Sequence, residues 1–232
     1  MTPLYIIPAR GGSKGIPRKN IKPLCGRPLI AYSIDVARAA GAADDHIILS
    51  TDDAEIAAVG RSLGLAVDYI RPAELATDTA GSREVMLDVM AWADARGLDY
   101  DCVVLLQPTS PLRTADDVSR ALALYTAEVD MVVTVCLAAA NPYYNLFETT
   151  ADGFLTISKG DGPLTRRQDA PRVWEYNGAV YVINPQSLRR CGLGAFARRV
   201  PCEMPRSRSI DLDTMQDWAL AELLMQSPTA TR

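Results

Sequence analysis

A basic, glycine-rich loop follows the first apolar run of the sequence, in the segment IIPARGGSKGIPRKN at residues 6–20. It contains three glycines and four basic side chains, namely Gly11, Gly12, Gly15, Arg10, Lys14, Arg18 and Lys19. Neither the Walker A pattern nor GxGxxG is present, so a P-loop and a dinucleotide site are not indicated. Because glycines let backbone N–H groups approach phosphate oxygens closely, the loop predicts a polyphosphate cradle. The alternative is a solvated basic loop.

Two aspartates alternate in the segment SIDLDT, residues 209–214. In an extended segment, alternate side chains share a face, so Asp211 and Asp213 are expected to point the same way. Two carboxylates on one face suit Mg²⁺, which prefers oxygen ligands and completes its shell with water and phosphate. The alternative, which the sequence leaves open, is that Asp213 or Thr214 caps the last helix.

Two further polar segments follow predicted strands. The segment LLQPTSPLR at 105–113 offers Gln107, Thr109, Ser110 and Arg113 in a turn bounded by prolines. Such a turn can hold a polar ligand or can simply end a strand. The segment RPAELATDTAGS at 71–82 is a weaker signal, and there helix capping by Ser82 is the favoured reading.

Composition limits the function classes. The chain has 232 residues, enough for one domain spanning 1–232. Its net charge of −4 argues against nucleic-acid binding, because such proteins carry a basic surplus. Five scattered cysteines suggest reduced thiols. Neither a leader nor an apolar run of about 20 residues is evident, so a cytoplasmic protein without a membrane partner is expected.

Strand and helix patterns alternate along most of the chain. Strands are predicted at 4–9, 46–51, 66–70, 101–106, 130–137, 176–183 and 198–204. Helices are predicted at 28–40, 53–63, 82–95, 114–126, 186–190 and 214–225. Such βα units build an α/β fold with a mostly parallel sheet and helices on both faces. The pattern breaks at 138–171, which predicts an inserted arm, and the tail after Ser227 is predicted to fray.

The four polar segments, in their order and spacing, resemble those of the acylneuraminate cytidylyltransferases, or CMP-sialic acid synthetases. The similarity runs from Ile6 to about Glu222, and the form GGSKGIPRKN distinguishes this family from the sugar-1-phosphate nucleotidyltransferases and the Kdo synthetases. The resemblance implies a Rossmann-like fold and a homodimer formed through the arm. It also implies a Mg²⁺-dependent reaction of CTP with the anomeric hydroxyl of a nine-carbon acidic sugar, N-acetylneuraminate or a relative such as legionaminate, that releases pyrophosphate.

The resemblance also implies a role for each matching residue. The nucleotide would be bound by Ala9, Arg10, Gly11, Ser13, Lys19, Asn20, Arg71, Ala80 and Ser82. The sugar would be bound by Gln107, Thr109, Ser110, Arg167, Asn177 and Tyr181. The metal would be held by Asp211 and Asp213, which together with Arg10 and Lys19 form the implied catalytic set.

Two features of the arm bear on the choice of sugar. Tyr144 stands about where some members that use sialic acid have a lysine, and TRRQDAP at 165–171 resembles members that act on legionaminic acid. A related enzyme for a Kdo-type or pseudaminic-type sugar stays an alternative. So does a nucleotide-sensing protein without catalytic activity, although Arg10 and both aspartates of SIDLDT are present. His46, the only histidine, is predicted to be structural.

Overall fold

The computed structural model describes residues 1–13 and 15–227. Lys14 of the basic loop and the predicted frayed tail lie outside the described residues. The described strands are β1 (Pro3–Pro8), β2 (Pro23–Leu24), β3 (Arg27–Pro28), β4 (Ile47–Ser50), β5 (Cys102–Leu105), β6 (Met131–Leu137), β7 (Phe147–Thr149), β8 (Leu155–Ile157), β9 (Trp174–Ile183) and β10 (Arg199–Glu203). The α-helices are α1 (Leu29–Ala39), α2 (Ala54–Ser62), α3 (Ser82–Asp94), α4 (Ala115–Leu124), α5 (Pro185–Arg190) and α6 (Met215–Gln226).

Six strands form the central sheet, in the order β10-β6-β9-β5-β1-β4. β1 pairs in parallel with β4 and β5, and β10 pairs in parallel with β6. Only β9 among these strands runs antiparallel to its neighbours β5 and β6. The sheet is therefore mostly parallel, and the predicted α/β fold class is confirmed.

Alternation along β1 divides the core into two layers. Tyr5 and Ile7 pack with residues of α1, α2 and α4, whereas Leu4 and Ile6 pack with residues of α3 and α5. Both layers are fully buried because helices cover both faces of a parallel sheet. A third, smaller cluster joins Trp218 of α6 to residues of the basic loop and of the SIDLDT segment. Helix α6 thus packs these two distant segments against each other.

The predicted strand at 66–70 is wrong. The segment is not part of the central sheet, which leaves β4 at the edge. Its side chains do alternate, with Leu65, Val67 and Tyr69 buried. However, Val67 has a φ of 50°, a left-handed conformation that breaks a strand and is unfavourable for a β-branched residue. The alternation reflects packing against the sheet edge and not strand pairing.

The arm contains a separate two-stranded hairpin. β7 and β8 pair with each other and not with the central sheet. At the root of the arm, the Asn141 side-chain amide donates to the Pro171 carbonyl over 2.9 Å, which joins the two ends of the segment. The hairpin exposes large apolar side chains, including Phe154 at 72% and Leu155 at 70% of their surface.

The model contains no helix, within the part of the chain it describes, that is both long and apolar enough to cross a membrane.

Candidate active site

A cleft of about 390 Å³ opens beyond the carboxyl ends of β1 and β5. This is the edge where open α/β sheets bind ligands. Its walls include ten of the predicted site residues: Arg10, Ser13, Lys19, Asn20, Arg71, Ala80, Ser82, Gln107, Thr109 and Asp213. The fold thus gathers residues from all four polar segments around one cavity.

The basic loop lies directly against the SIDLDT segment. Gly15 approaches Asp213 so closely that a Cβ atom at Gly15 would stand 2.3 Å from the Asp213 carbonyl oxygen. Lys19 strengthens this contact, because its Nζ donates to the Leu212 carbonyl over 2.6 Å and lies 3.4 Å from Asp213 Oδ1. The phosphate-binding candidates and one metal-binding candidate are therefore held side by side.

The basic residues of the loop have different surroundings. Arg10 faces the cleft, where its Nη1 lies 2.9 Å from Asp78 Oδ1. Arg18 turns away from the cleft and pairs with Asp53, over 2.5 Å, and with Glu55 at the start of α2. Arg18 therefore orients the loop, whereas Arg10 and Lys19 present positive charge to the cavity.

Asp211 lies on the other side of Asp213, beside the turn at residues 107–110. The Leu212 N–H, between the two aspartates, donates to the Thr109 carbonyl over 2.8 Å, and the Thr109 side chain acts to lower the pKa of Asp211. Desolvation by the surrounding protein is the main cause that raises the pKa of Asp211, and the charge of Asp213 adds to it.

Three polar groups converge where β9 passes this turn. A Cβ atom at Gly178 would lie 3.5 Å from Ser110 Oγ and 3.7 Å from both Asp211 Oδ2 and Gln107 Oε1. Gly178 has a φ of 72°, which favours glycine. The backbone of β9 therefore passes close to Gln107, Ser110 and Asp211. A side chain larger than a methyl group at Gly178 would occupy the space between them.

The opposite wall of the cleft contains a buried arginine. Arg71 is 5% exposed and donates to the hydroxyl and the carbonyl oxygens of Ser50 over 3.0 and 2.8 Å. Burial lowers the pKa of Arg71 below its ordinary value. Asn20 is also buried, and its side-chain amide donates to the Arg10 carbonyl over 2.9 Å. Both side chains are fixed in place before any ligand binds.

The alternative capping roles are now resolved. Thr114 caps α4 and Thr214 caps α6. In each capping box, the threonine side chain accepts from the backbone N–H of the aspartate three residues later, and that aspartate accepts from the threonine N–H. Because Thr214 caps α6, Asp213 is not needed for this role. Ser82 does not act as a cap, since α3 is capped by Gly81 and begins at Ser82. The favoured capping interpretation of Ser82 is thus wrong, and its side chain lines the cleft.

Several predicted site residues do not line this cleft. Ala9 is fully buried, and its N–H donates to the Ser50 carbonyl over 2.8 Å. The Gly11 N–H donates to Asp52 Oδ1 over 3.0 Å. Tyr181 is half-buried beside Tyr176, with the ring centroids 6.3 Å apart. Arg167 lies on the arm and donates to the Ala139 carbonyl.

Asn177 and Asp211 line a second cleft, of about 330 Å³, next to the root of the arm. The amide of Asn177 is already engaged, since Thr134 donates to its Oδ1 over 2.7 Å and its Nδ2 donates to Ser209 Oγ over 2.9 Å. Asn177 thus shapes this cleft more than it offers free hydrogen-bonding groups. The SIDLDT segment borders both clefts, because Asp213 lines the first and Asp211 lines the second.

One buried network supports the site and was not predicted. Asp117 is fully buried and accepts hydrogen bonds from Arg120, over 2.6 Å, and from Arg208, over 2.8 Å. Burial raises the pKa of Asp117, but the hydrogen bonds from Arg208, Thr114 and Arg120 outweigh it and hold the pKa below its ordinary value. The spacing of Thr114 and Asp117 is a capping pattern that the sequence shows. The pairing of Asp117 with Arg208, 91 residues away, has no sequence pattern that would predict it.

The donor set fits a metal bound jointly with a substrate. Among the described residues, no group of three or more His, Cys, Asp or Glu side chains is placed to hold a metal ion. Mg²⁺ needs fewer protein ligands, because it is usually held by one or two carboxylates together with substrate phosphates and waters. Asp213 in the basic cleft and Asp211 in the neighbouring one are carboxylates of the type that such a site would use.

A family model described as Cytidylyltransferase matches residues 4–174. The chain belongs to the cytidylyltransferase family. The "CMP-N,N'-diacetyllegionaminic acid synthase" of Legionella pneumophila is 32% identical over 232 residues, which cover 96% of each chain. The "N-acylneuraminate cytidylyltransferase" of Streptococcus agalactiae is 34% identical over 221 residues, covering 94% of this chain and 52% of that protein. This chain thus spans about half the length of that streptococcal relative.

The cytidylyltransferase fold also matches a solved structure. A CMP:2-keto-3-deoxy-manno-octonic acid synthetase in complex with CTP aligns with a TM-score of 0.71, over 97% of this chain and 98% of that one. The two sequences are only 17% identical, so the likeness shows the shared fold alone.

Proposed function

We propose that this cytidylyltransferase joins CMP from CTP to the anomeric hydroxyl of a nine-carbon acidic sugar and releases pyrophosphate. The observation that carries the proposal is the single cleft where basic side chains meet Asp213 of SIDLDT. Arg10 and Lys19 can neutralise a triphosphate there, and Asp213 stands beside Lys19. The names of the Legionella and Streptococcus relatives support a nine-carbon acidic sugar as the acceptor.

The nucleotide half of the site follows from the cleft walls. Arg10, Ser13 and Lys19 would bind the triphosphate, and Asn20 would lie near the ribose or the α-phosphate. Arg71, Ala80 and Ser82 would contact the cytosine. Because Arg71 is buried and already fixed by Ser50, little of its rotamer freedom remains to be lost on binding.

The chemical step is a displacement at the α-phosphate. A bond forms between the sugar hydroxyl oxygen and the α-phosphorus, the bond to the β-phosphate oxygen breaks, and the hydroxyl proton passes to solvent. Catalysis of this kind comes mainly from positioning and from neutralising charge. Arg10 and Lys19 would stabilise the negative charge on the departing pyrophosphate.

We propose that Asp211 and Asp213 hold a Mg²⁺ ion together with the substrate. Such an ion, when bound, polarises the phosphate and lowers the pKa of a coordinated hydroxyl. The contribution of the chain itself is to fix both carboxylates. The Thr109 carbonyl and the Lys19 ammonium group both bind the backbone of Leu212, which lies between the two aspartates.

The sugar would enter beside the turn at 107–110. Gln107, Thr109 and Ser110 lie at its junction with β9, and the second cleft extends from there toward the arm. Asn177 and Tyr181 would contribute mainly to its shape. Arg167 of the arm would reach the sugar if the arm shifts or if the arm belongs to a partner subunit. The sequence TRRQDAP and the Legionella relative favour legionaminate within this class.

We also propose that the protein is a cytoplasmic homodimer formed through the arm at 138–171. The exposed apolar side chains of the hairpin, Phe154 and Leu155, support this assembly, because monomers rarely expose such patches. Burial of these side chains against a second copy would remove them from water.

The decisive experiment is pyrophosphate release with CTP and Mg²⁺ against a panel of free sugars. The panel contains N-acetylneuraminic, legionaminic, pseudaminic and Kdo acids. Release with a nine-carbon sugar, and none when ATP, GTP or UTP replaces CTP, is the expected result. CTP binding without release for any sugar would overturn the proposal in favour of a nucleotide-sensing protein.

A further inference from the structure

Arg113 is a buried cation with an unusual set of partners. It is 3% exposed, and burial lowers its pKa to about 9. Its Nη1 donates to the carbonyl oxygens of Gln107, over 2.5 Å, and Ser110, over 2.9 Å, and its Nη2 donates to Ser33 Oγ. Its Nε has no hydrogen-bond partner among the residues that the structure describes. The guanidinium therefore donates twice to the backbone of one turn and once to α1.

Within residues 1–13 and 15–227, no carboxylate is hydrogen-bonded to the Arg113 guanidinium. Asp117 acts on it only through space, and the Asp117 oxygens accept their hydrogen bonds from Arg120, Arg208 and Thr114. Burial of an unpaired cation is unfavourable, so an apolar side chain would serve packing better. The stability of the core alone does not account for an arginine here.

The turn that Arg113 holds is the one that contacts the reaction centre. Gln107 and Thr109 line the main cleft. The Thr109 carbonyl accepts a hydrogen bond, over 2.8 Å, from the N–H of Leu212, the residue between Asp211 and Asp213. A shift of the turn would therefore move the Asp211 carboxylate.

We propose that Arg113 is a positioning residue for the metal and sugar side of the active site. By joining the first and last carbonyls of the turn at 107–110, it fixes Thr109, and Thr109 in turn orients Asp211. Arg113 touches neither substrate nor metal in this arrangement. The inference rests on the proposed function, since it assigns Asp211 to the metal.

The test compares Arg113→Met with Arg38→Met in the full-length protein. Arg38 is a matched control, because it donates to the Leu63 carbonyl over 2.8 Å and pairs with Asp44, beyond the end of α1. Two readouts are needed. The first is steady-state pyrophosphate release with the accepted sugar over a range of CTP and Mg²⁺ concentrations. The second is Mn²⁺ binding in the presence of CTP, followed by electron paramagnetic resonance, which requires no turnover.

Arg113→Met should lower kcat or metal affinity by about 10- to 100-fold, the range found when groups that orient metal ligands are removed. The KM for CTP should change by less than about threefold, because the nucleotide contacts lie on other segments. Arg113→Lys should recover part of the loss, since its ammonium can reach one of the two carbonyls. Arg38→Met should match the wild type in both readouts.

Wild-type kcat and Mn²⁺ affinity in a folded Arg113→Met variant would overturn the proposal, as would an equal loss in Arg38→Met. If Arg113→Met does not fold, Arg113→Lys and Ser33→Ala decide the question, because both loosen the same guanidinium. Wild-type behaviour of both would refute the positioning role. A wild type that binds CTP and Mn²⁺ but uses no sugar would refute the proposed function alone, since the Mn²⁺ comparison still tests Arg113.

Discussion

The contact between Gly15 and Asp213 offers a sharp test of the site, through the substitution Gly15→Ala. The added Cβ would stand 2.3 Å from the Asp213 carbonyl oxygen, a distance that real Cβ contacts essentially never show. Because the opposing atom belongs to the backbone, it cannot rotate away as a side chain would. The basic loop and the SIDLDT segment must therefore move apart.

The required movement sets the expected size of the effect. Ordinary van der Waals contact begins at 3.4 Å, so the separation is about 1 Å, and a misplacement of that size can reduce catalysis by about 100-fold. Lys19 would lose its place beside Asp213, and kcat/KM should fall by roughly that factor. The cost to folding should stay near 1–3 kcal/mol, as is typical of overpacking.

The assay is pyrophosphate release as a function of CTP and sugar, with a thermal melt to confirm folding. Gly194→Ala is the matched control, because a Cβ at Gly194 would meet no atom of the described residues within 4 Å. Gly194 lies before the start of β10, at the edge of the sheet opposite β4. A folded Gly15→Ala variant with the same kcat/KM as Gly194→Ala would show that the close approach of the two segments does not matter for the reaction.

Further predictions concern charge and assembly. Asp213→Ala should remove nearly all Mg²⁺-dependent turnover while calorimetry still detects CTP binding, because the basic wall of the cleft stays intact. Asp78→Asn should lower the KM for CTP by up to about fivefold. The substitution removes the exposed ion pair between Arg10 and Asp78, which Arg10 would otherwise have to break in order to bind phosphate. Asp117→Asn should destabilise the fold by about 3–5 kcal/mol near neutral pH, because two arginines lose a buried partner. The depressed pKa of Asp117 means that its charge stabilises the fold above the ordinary aspartate pKa and that this contribution is lost as the pH falls through the folded value. Melting temperatures of the wild type and of Asp117→Asn should therefore converge in acid. Phe154→Ser should shift sedimentation toward the monomer mass, since it removes an exposed apolar group from the arm.

Each of these expectations has a contrary result. Normal turnover of Asp213→Ala in Mg²⁺ would exclude that carboxylate from the metal site. An unchanged or higher KM for Asp78→Asn would mean that the carboxylate helps CTP to bind. If the melting temperatures of the wild type and Asp117→Asn differ by the same amount at every pH, ionisation of Asp117 does not contribute to the acid sensitivity of the fold. Retention of the dimer mass by Phe154→Ser would place the interface elsewhere.

The fold class could be read from the sequence because periodicity is a local property. The helices lie within a few residues of their predicted positions, since apolar spacing and capping residues such as Thr114 act within one or two turns. The failure at 66–70 has the same origin, because side-chain alternation reports which residues are buried and not whether the backbone finds a hydrogen-bonding partner.

The sequence also located the polar segments of the site, since ligand-binding loops follow the carboxyl ends of strands in such a fold. It could not decide which side chains face the cavity. Arg18 and Lys19 are adjacent and both basic, yet Arg18 pairs with Asp53 and Lys19 reaches Leu212. That difference depends on where α2 and the distant SIDLDT segment pack.

Only the tertiary structure joined the basic loop to the aspartates, across almost 200 residues of chain. The same is true of Arg113, which bonds to the Ser33 side chain, 80 residues away, and to two backbone carbonyls that carry no sequence signal. The sequence by itself determined the elements, their order and the chemistry available at their ends. Packing decided which of those groups meet, because contacts between distant segments depend on how helices cover the sheet and not on local spacing.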